Sequence, residues 1–243
     1  MKTLQWRNLE FDVSNADVYP PKPASLLLAD IAMQEVQTQQ RILDTCTGSG
    51  VVGIAAAKAA PESEITLADS STVALEAARA NASRNGVNVQ TVISDLYNAF
   101  DDEYFDMITV HPPAVPYPEG KDWGMSDGMR LATHGGHDGS RLVVRSIEEA
   151  ARCLKPEGKL LLLLPHWSSI TKAWKALRQR YNEVVQLASQ QVVFFPAIEG
   201  RHDEEMLRHV GRLAEQGSIQ LRWEEKIPTS EVSVIRASRP RSD

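Results

Sequence analysis

The chain has 243 residues, with 26 Lys and Arg against 32 Asp and Glu, six His and two Cys. Its 42% hydrophobic and 24% charged residues are globular proportions that exclude disorder, and the length fits one large α/β domain. A net charge of −6 argues against bulk nucleic acid as a partner, which calls for a basic face against phosphate. Cys46 and Cys153 stand far apart and read as reduced thiols. The opening MKTLQWRNLEFDV holds no signal-type apolar run, and the longest apolar run, Leu160–Pro165, is too short to span a bilayer. These features predict a cytoplasmic protein with no membrane partner; a homo-oligomer is left open.

In chain order, Arg41–Thr45 (RILDT) is predicted as a strand, followed by the Gly-rich turn Thr47–Gly50. Val51–Ala60 is an Ala-rich helix closed by Pro61. Glu64–Ala68 is the next strand and ends at Asp69; Ser70 or Ser71 caps a helix over Thr72–Asn85, stopped by Gly86. Val89–Ile93 runs into Ser94-Asp95, and Phe105–Val110 stops at Pro112-Pro113. An irregular stretch covers Ala114–Ser140. A helix over Arg141–Leu154 then turns into the apolar strand Lys159–Leu164. Beyond it the pattern predicts helices over Thr171–Tyr181 and Asp203–Gln216, short strands Glu183–Leu187 and Gln191–Phe195, a last strand Glu231–Arg236 and a loose tail.

Strand and helix alternate, so the expected fold is a mostly parallel α/β sheet with helices on both faces. Ligands of such sheets bind at the carboxyl ends of the strands. That rim gathers Asp44, Gly48, Gly50, Asp69, Asp95 and His111. Thr47–Gly53 contains G-x-G-x-x-G, which dinucleotide enzymes share. Asp44 discriminates, because a carboxylate beside the turn repels a pyrophosphate and suits an ammonium and a sulfonium. S-adenosylmethionine (SAM) is therefore the expected cofactor. Asp44, Thr47, Gly48 and Gly50 would hold its methionine end. Asp69, with Ser70 beside it, would take the ribose, and Asp95 and Leu96 the adenine. No metal is expected; His134-Gly-Gly-His137 alone is a thin ligand set.

The segments ILDTCTGSGVVGIAAAK, ITLADSS, VISDL and FDMITVHPPAVP resemble the cofactor motifs of class I SAM-dependent methyltransferases, nearest the HemK/PrmC-like branch. The resemblance implies a Rossmann-like seven-stranded sheet with an antiparallel last strand. It makes residues 1–40 an N-terminal segment whose Val18–Ser25 loop closes over the cofactor, and 41–243 the SAM-binding domain. Where the branch has Asn-Pro-Pro-Tyr, this chain has His111-Pro112-Pro113-Ala114. The Asn accepts a hydrogen bond from a planar –NH2 and the Tyr stacks on it. His111 accepts only as the neutral imidazole, and Ala114 cannot stack. His111, Pro112 and Pro113 are thus the expected catalytic residues, with His111 a general base for another nucleophile. Tyr19, Tyr117 and His166 are expected in the substrate pocket, with Trp167, Trp123 and Arg201 further candidates.

The branch's release-factor enzymes carry a helical domain ahead of the cofactor fold, and only 40 residues precede Arg41. The resulting expectation is a small-molecule acceptor, methylated on N or O, as in specialised metabolism, under lid-like insertions near 114–140 and 196–217. Two alternatives stand beside it. One is a protein glutamine or nucleic-acid N-methyltransferase. The other is a SAM-consuming lyase or cyclase that releases methylthioadenosine.

Overall fold

The computed structural model describes residues 2–118, 124–194, 204–225 and 227–241. Its main sheet runs in the order β5 (Gln90–Ile93), β4 (Glu64–Asp69), β3 (Arg41–Thr45), β6 (Phe105–Val110), β7 (Leu154–Pro165), β10 (Ile227–Pro240) and β8 (Tyr181–Val193). A short β9 (Arg222–Glu224) also pairs with β10. The first five strands are parallel, and β10 is antiparallel to both of its long neighbours. Chain order reverses between β3 and β6, which opens the crevice where such sheets bind ligands.

Strand alternation divides the core. Leu160, Leu162 and Leu164 of β7 pack on one face with α5 (Arg141–Cys153) and α6 (Ile170–Arg180). Leu161 and Leu163 pack on the other with α1 (Pro23–Glu35), α2 (Val51–Ala59) and α7 (Glu204–Glu215). The run Leu160–Leu164, apolar at every position, is what two covered faces require. Gly50 starts α2 at φ +86; a Cβ there would lie 2.9 Å from Ile54 Cδ1 and 3.3 Å from the Ala78 backbone. Only glycine makes that entry without strain.

Several boundaries differ from expectation. The two short strands over 183–187 and 191–195 are one strand, β8. The polar Ala188–Gln190 stretch does not break it, because β10 supplies an unbroken partner with one register shift at Val234/Ile235. The last strand is longer than Glu231–Arg236, and the tail is not loose at Ala237, which pairs with Leu160. The helix expected to reach Leu154 ends at Cys153, since Leu154 already pairs with Phe105 in β7. The irregular stretch after Ala114 contains α4 (Asp127–Thr133), whose Ser126 cap accepts from the Met129 N–H at 3.3 Å. Asp203, Phe195, Trp123 and Arg201 lie outside the described residues.

An N-terminal hairpin, β1 (Thr3–Trp6) with β2 (Leu9–Asp12), docks on α3 (Thr72–Arg84). Asn81 Oδ1 accepts from the Asp12 N–H at 2.8 Å, and Asn81 Nδ2 donates to the Ser49 carbonyl of the Gly-rich turn at 3.0 Å. Asn85, one turn on, accepts from the Glu10 N–H and donates to the Glu10 carbonyl. The two amides thus stand in for a strand partner. Asn81 is fully buried, so Asn81→Ala strands both backbone groups and is expected to cost about 2–3 kcal/mol, read as a lower urea midpoint.

Candidate functional site

The crevice at the carboxyl ends of β3, β4, β6 and β7 is a cavity of about 360 Å³. Asp44, Thr47, Gly48, Asp69, Ser70, Asp95, Leu96, His111, Pro112, Pro113 and Tyr19 all line it. Asp44 ends β3 and is 2% exposed. Its Oδ2 accepts from the Thr47 hydroxyl at 2.6 Å and the Gly53 N–H at 3.0 Å, while Oδ1 accepts from the Thr109 hydroxyl at 2.7 Å. One carboxylate therefore ties the Gly-rich turn, the first turn of α2 and β6 together. Burial raises its pKa to about 6 against the pull of those three donors, with Asp69 adding a little repulsion.

Asp69, at the end of β4, accepts from the Gly48 N–H at 2.9 Å and the Ser71 N–H at 3.0 Å, one bond on each oxygen. Burial raises its pKa as well, opposed by these N–H groups. Each oxygen retains lone-pair capacity beyond these bonds. Asp95 is held differently from expectation. Arg145 of α5 reaches both of its oxygens at 3.3 Å and also pairs with Glu149. Leu96 is buried at φ +51 and gives that end an apolar wall.

Across the crevice, His111 follows β6 with its Nδ1 at 3.3 Å from the Ser25 hydroxyl of α1. Tyr19 sits edge-on to it, ring centroids 6.1 Å apart. Desolvation lowers the His111 pKa to about 4, so the ring is neutral at physiological pH. A base that weak does little proton abstraction near pH 7; a neutral ring nitrogen is well suited to accept a hydrogen bond. Ala114 is wedged from behind, since a Cβ on Gly139 would lie 2.3 Å from its carbonyl oxygen.

Three expected residues fall elsewhere. Tyr117 is 3% exposed, stacks on His134 at 5.1 Å and shares a hydrogen bond with Thr133, away from the cavity wall. Gly50 stands behind the wall as the cap of α2. His166 also lies off the wall, with Nε2 at 3.0 Å from Ser233 Oγ and Nδ1 at 3.2 Å from Gln220 Oε1. Its neighbour Trp167 lines the cavity instead, as do Ser25, Arg141, Arg145 and the α4 residues Gly128, Leu131, Ala132 and Thr133. Among the described residues no group of three or more His, Cys, Asp or Glu is arranged for a metal, and no helix is long and apolar enough to cross a membrane.

Residues 21–122 match the family described as methyltransferase small domain. A release factor glutamine methyltransferase of Gloeobacter violaceus is 33% identical over 169 residues, covering 66% of this chain and 58% of the relative. Its counterpart in Bordetella pertussis is 31% identical, covering 67% and 62%. A ribosomal protein uL3 glutamine methyltransferase of Francisella tularensis is 29% identical, covering 67% and 54%. The chain thus spans 54–62% of the length of these relatives. Among solved structures, the YcgJ protein from Bacillus subtilis superposes at a TM-score of 0.61 with 15% identity, over 89% of this chain and all of the other. A tRNA m1G37 methyltransferase of M. jannaschii gives 0.60 with 13% identity, over 98% and 57%. These likenesses bear on the fold alone.

Fold, rim and family match define a class I SAM-dependent methyltransferase domain. Within that class the curated relatives make the chain most similar to the HemK/PrmC-like branch. The expected small-molecule acceptor is overturned. The relatives are glutamine methyltransferases of release factors and a ribosomal protein, so the acceptors their names give are proteins.

Proposed function

We propose that this chain transfers a methyl group from SAM to the side-chain amide nitrogen of a protein glutamine. The observation that carries this reading is the seating of His111-Pro112-Pro113, at the end of β6, on the same cavity as Asp44 and Asp69. The names of the relatives support the acceptor class.

The cofactor supplies a methyl group on a sulfonium, so the protein's work is alignment and exclusion of water. Asp44, Thr47 and Gly48 would hold the methionine end and Asp69 the ribose hydroxyls. Leu96 would cover the adenine, with Asp95 fixed beside it by Arg145. Neutral His111 and the Pro112 carbonyl would accept the two amide hydrogens and turn the nitrogen toward the methyl carbon. Transfer would form the nitrogen–carbon bond as the sulfonium carbon–sulfur bond breaks, with the electron pair left on sulfur and the extra amide proton released to water.

The test is methyl-labelled SAM incubated with the full chain and an unmethylated bacterial release factor or ribosomal protein uL3. N-methylglutamine in the digested protein, with one S-adenosylhomocysteine per methyl, is the expected result. Label absent from every protein fraction, or methylthioadenosine as the product, refutes it.

A further inference from the structure

A neutral imidazole carries one N–H and one lone pair, and the partner of one nitrogen decides what the other can do. Among the described residues His111 has a single hydrogen-bond partner, Ser25, whose Oγ lies 3.3 Å from Nδ1. The other nitrogen, Nε2, bonds to no described residue and is not one of the buried polar atoms, so it opens onto the cavity that His111 lines. Burial, with no charged neighbour contributing, keeps the ring neutral.

Ser25 is itself held by the start of α1. Pro23 opens the helix, which makes Ser25 its third residue, and the hydroxyl reaches back to accept from the Lys22 N–H at 3.4 Å. The residue is 3% exposed, so bulk water does not compete for that oxygen. Lys22 takes one of its two lone pairs and the second is left for His111 Nδ1.

We propose that Ser25 is a positioning residue for His111: its Oγ accepts the Nδ1–H and so fixes the tautomer whose Nε2 lone pair receives an amide hydrogen of the acceptor. This rests on the glutamine reading and deepens it. The serine's own proton is left for the cavity, which Ser25 also lines. Without the hydroxyl, an N–H at Nδ1 is a buried donor with no acceptor, and the proton moves to Nε2, where the cavity can hydrate it. Nε2–H then meets the amide N–H donor to donor, and the alignment is lost.

The test is ¹⁵N spectroscopy of the imidazole nitrogens in the full chain, loaded with S-adenosylhomocysteine at neutral pH. Protonated and bare ring nitrogens resonate far apart, and H111N, which lacks the signals, assigns those of His111 among the six histidines. The wild type is expected to show Nδ1 protonated and Nε2 bare. S25A is expected to move the proton to Nε2 and to lower kcat at saturating SAM about tenfold, the worth of one buried hydrogen bond. S25T keeps the hydroxyl and is expected to restore both. A wild-type ring protonated on Nε2 overturns the assignment, and that reading needs no variant to fold. S25A with the wild-type tautomer or the wild-type kcat overturns it as well. Wild-type enzyme that leaves every protein glutamine unmethylated, with Nδ1 protonated, overturns the glutamine reading instead.

Discussion

Asp44→Ala is expected to abolish useful SAM binding, raising the dissociation constant by about a hundredfold or more, and to destabilise the fold by about 3–5 kcal/mol. Three buried donors share that carboxylate, so its removal leaves the Thr47 and Thr109 hydroxyls and the Gly53 N–H without their acceptor. The turn they shape is the one that would hold the methionine end of the cofactor. A pH signature separates the charge from the scaffold. Asp44 has a pKa raised to about 6 from 3.8, so between those values the folded protein holds a proton that the unfolded chain has released. Its contribution to the stability of the ligand-free protein therefore falls as pH rises through the window, by about 3 kcal/mol in all. Cofactor binding runs the other way. A cationic ammonium favours the ionised carboxylate, and affinity should drop about tenfold per unit as pH falls below about 6. Calorimetric titration from pH 5 to 8 reads this directly. A flat profile in the wild type, or the same slope in Asp44→Asn, is incompatible with the charge pairing.

The acids of the rim were legible because each is a local event: a β-rich run, a carboxylate, then a turn or cap. Asp44 and Asp69 need no distant information, and the unbroken apolar run Leu160–Leu164 announces β7 as a strand covered on both faces. What stayed hidden depends on partners far along the chain. The hairpin's docking on Asn81 and Asn85 joins residues 69 to 75 positions apart, and the alternation of Leu9 and Phe11 in β2 does not say which helix covers them. The length of β8 is set by β10, some 45 residues later, so a polar stretch reads as a break until its partner is known. Just past the end of β7 the sequence offers His166 and Trp167 alike, and of the two only Trp167 lines the cavity, His166 being held by Ser233 and Gln220. Arg145 was missed because helical spacing says which side chains share a face of α5, not that the face overlooks Asp95.

His111→Ala is expected to lower kcat about a hundredfold while the affinity for SAM stays within about twofold, because a misdirected nitrogen spoils the line of attack without touching the cofactor residues. His111→Asn should recover most of the loss, since an amide oxygen can accept the same N–H, and that rescue separates hydrogen-bond acceptance from general-base work. The pH profile makes the same distinction. With its pKa near 4, the ring stays neutral down to acid pH, so kcat at saturating SAM should show no histidine limb between pH 5 and 8. The Asp44 limb near 6 belongs to cofactor binding and disappears at saturation. A kcat limb near 6.5 would mean that His111 titrates as an exposed imidazole and acts as a base. Stability carries the complementary sign. The unfolded chain protonates His111 near 6.5 and the folded protein only near 4, so this group's contribution rises with pH across the window where that of Asp44 falls. The two trends oppose each other between about pH 4 and 6, and ligand-free wild type should be comparatively insensitive to pH there. His111→Asn removes one of them, and its melting temperature should then fall as pH rises through the same interval, exposing the trend that Asp44 alone imposes.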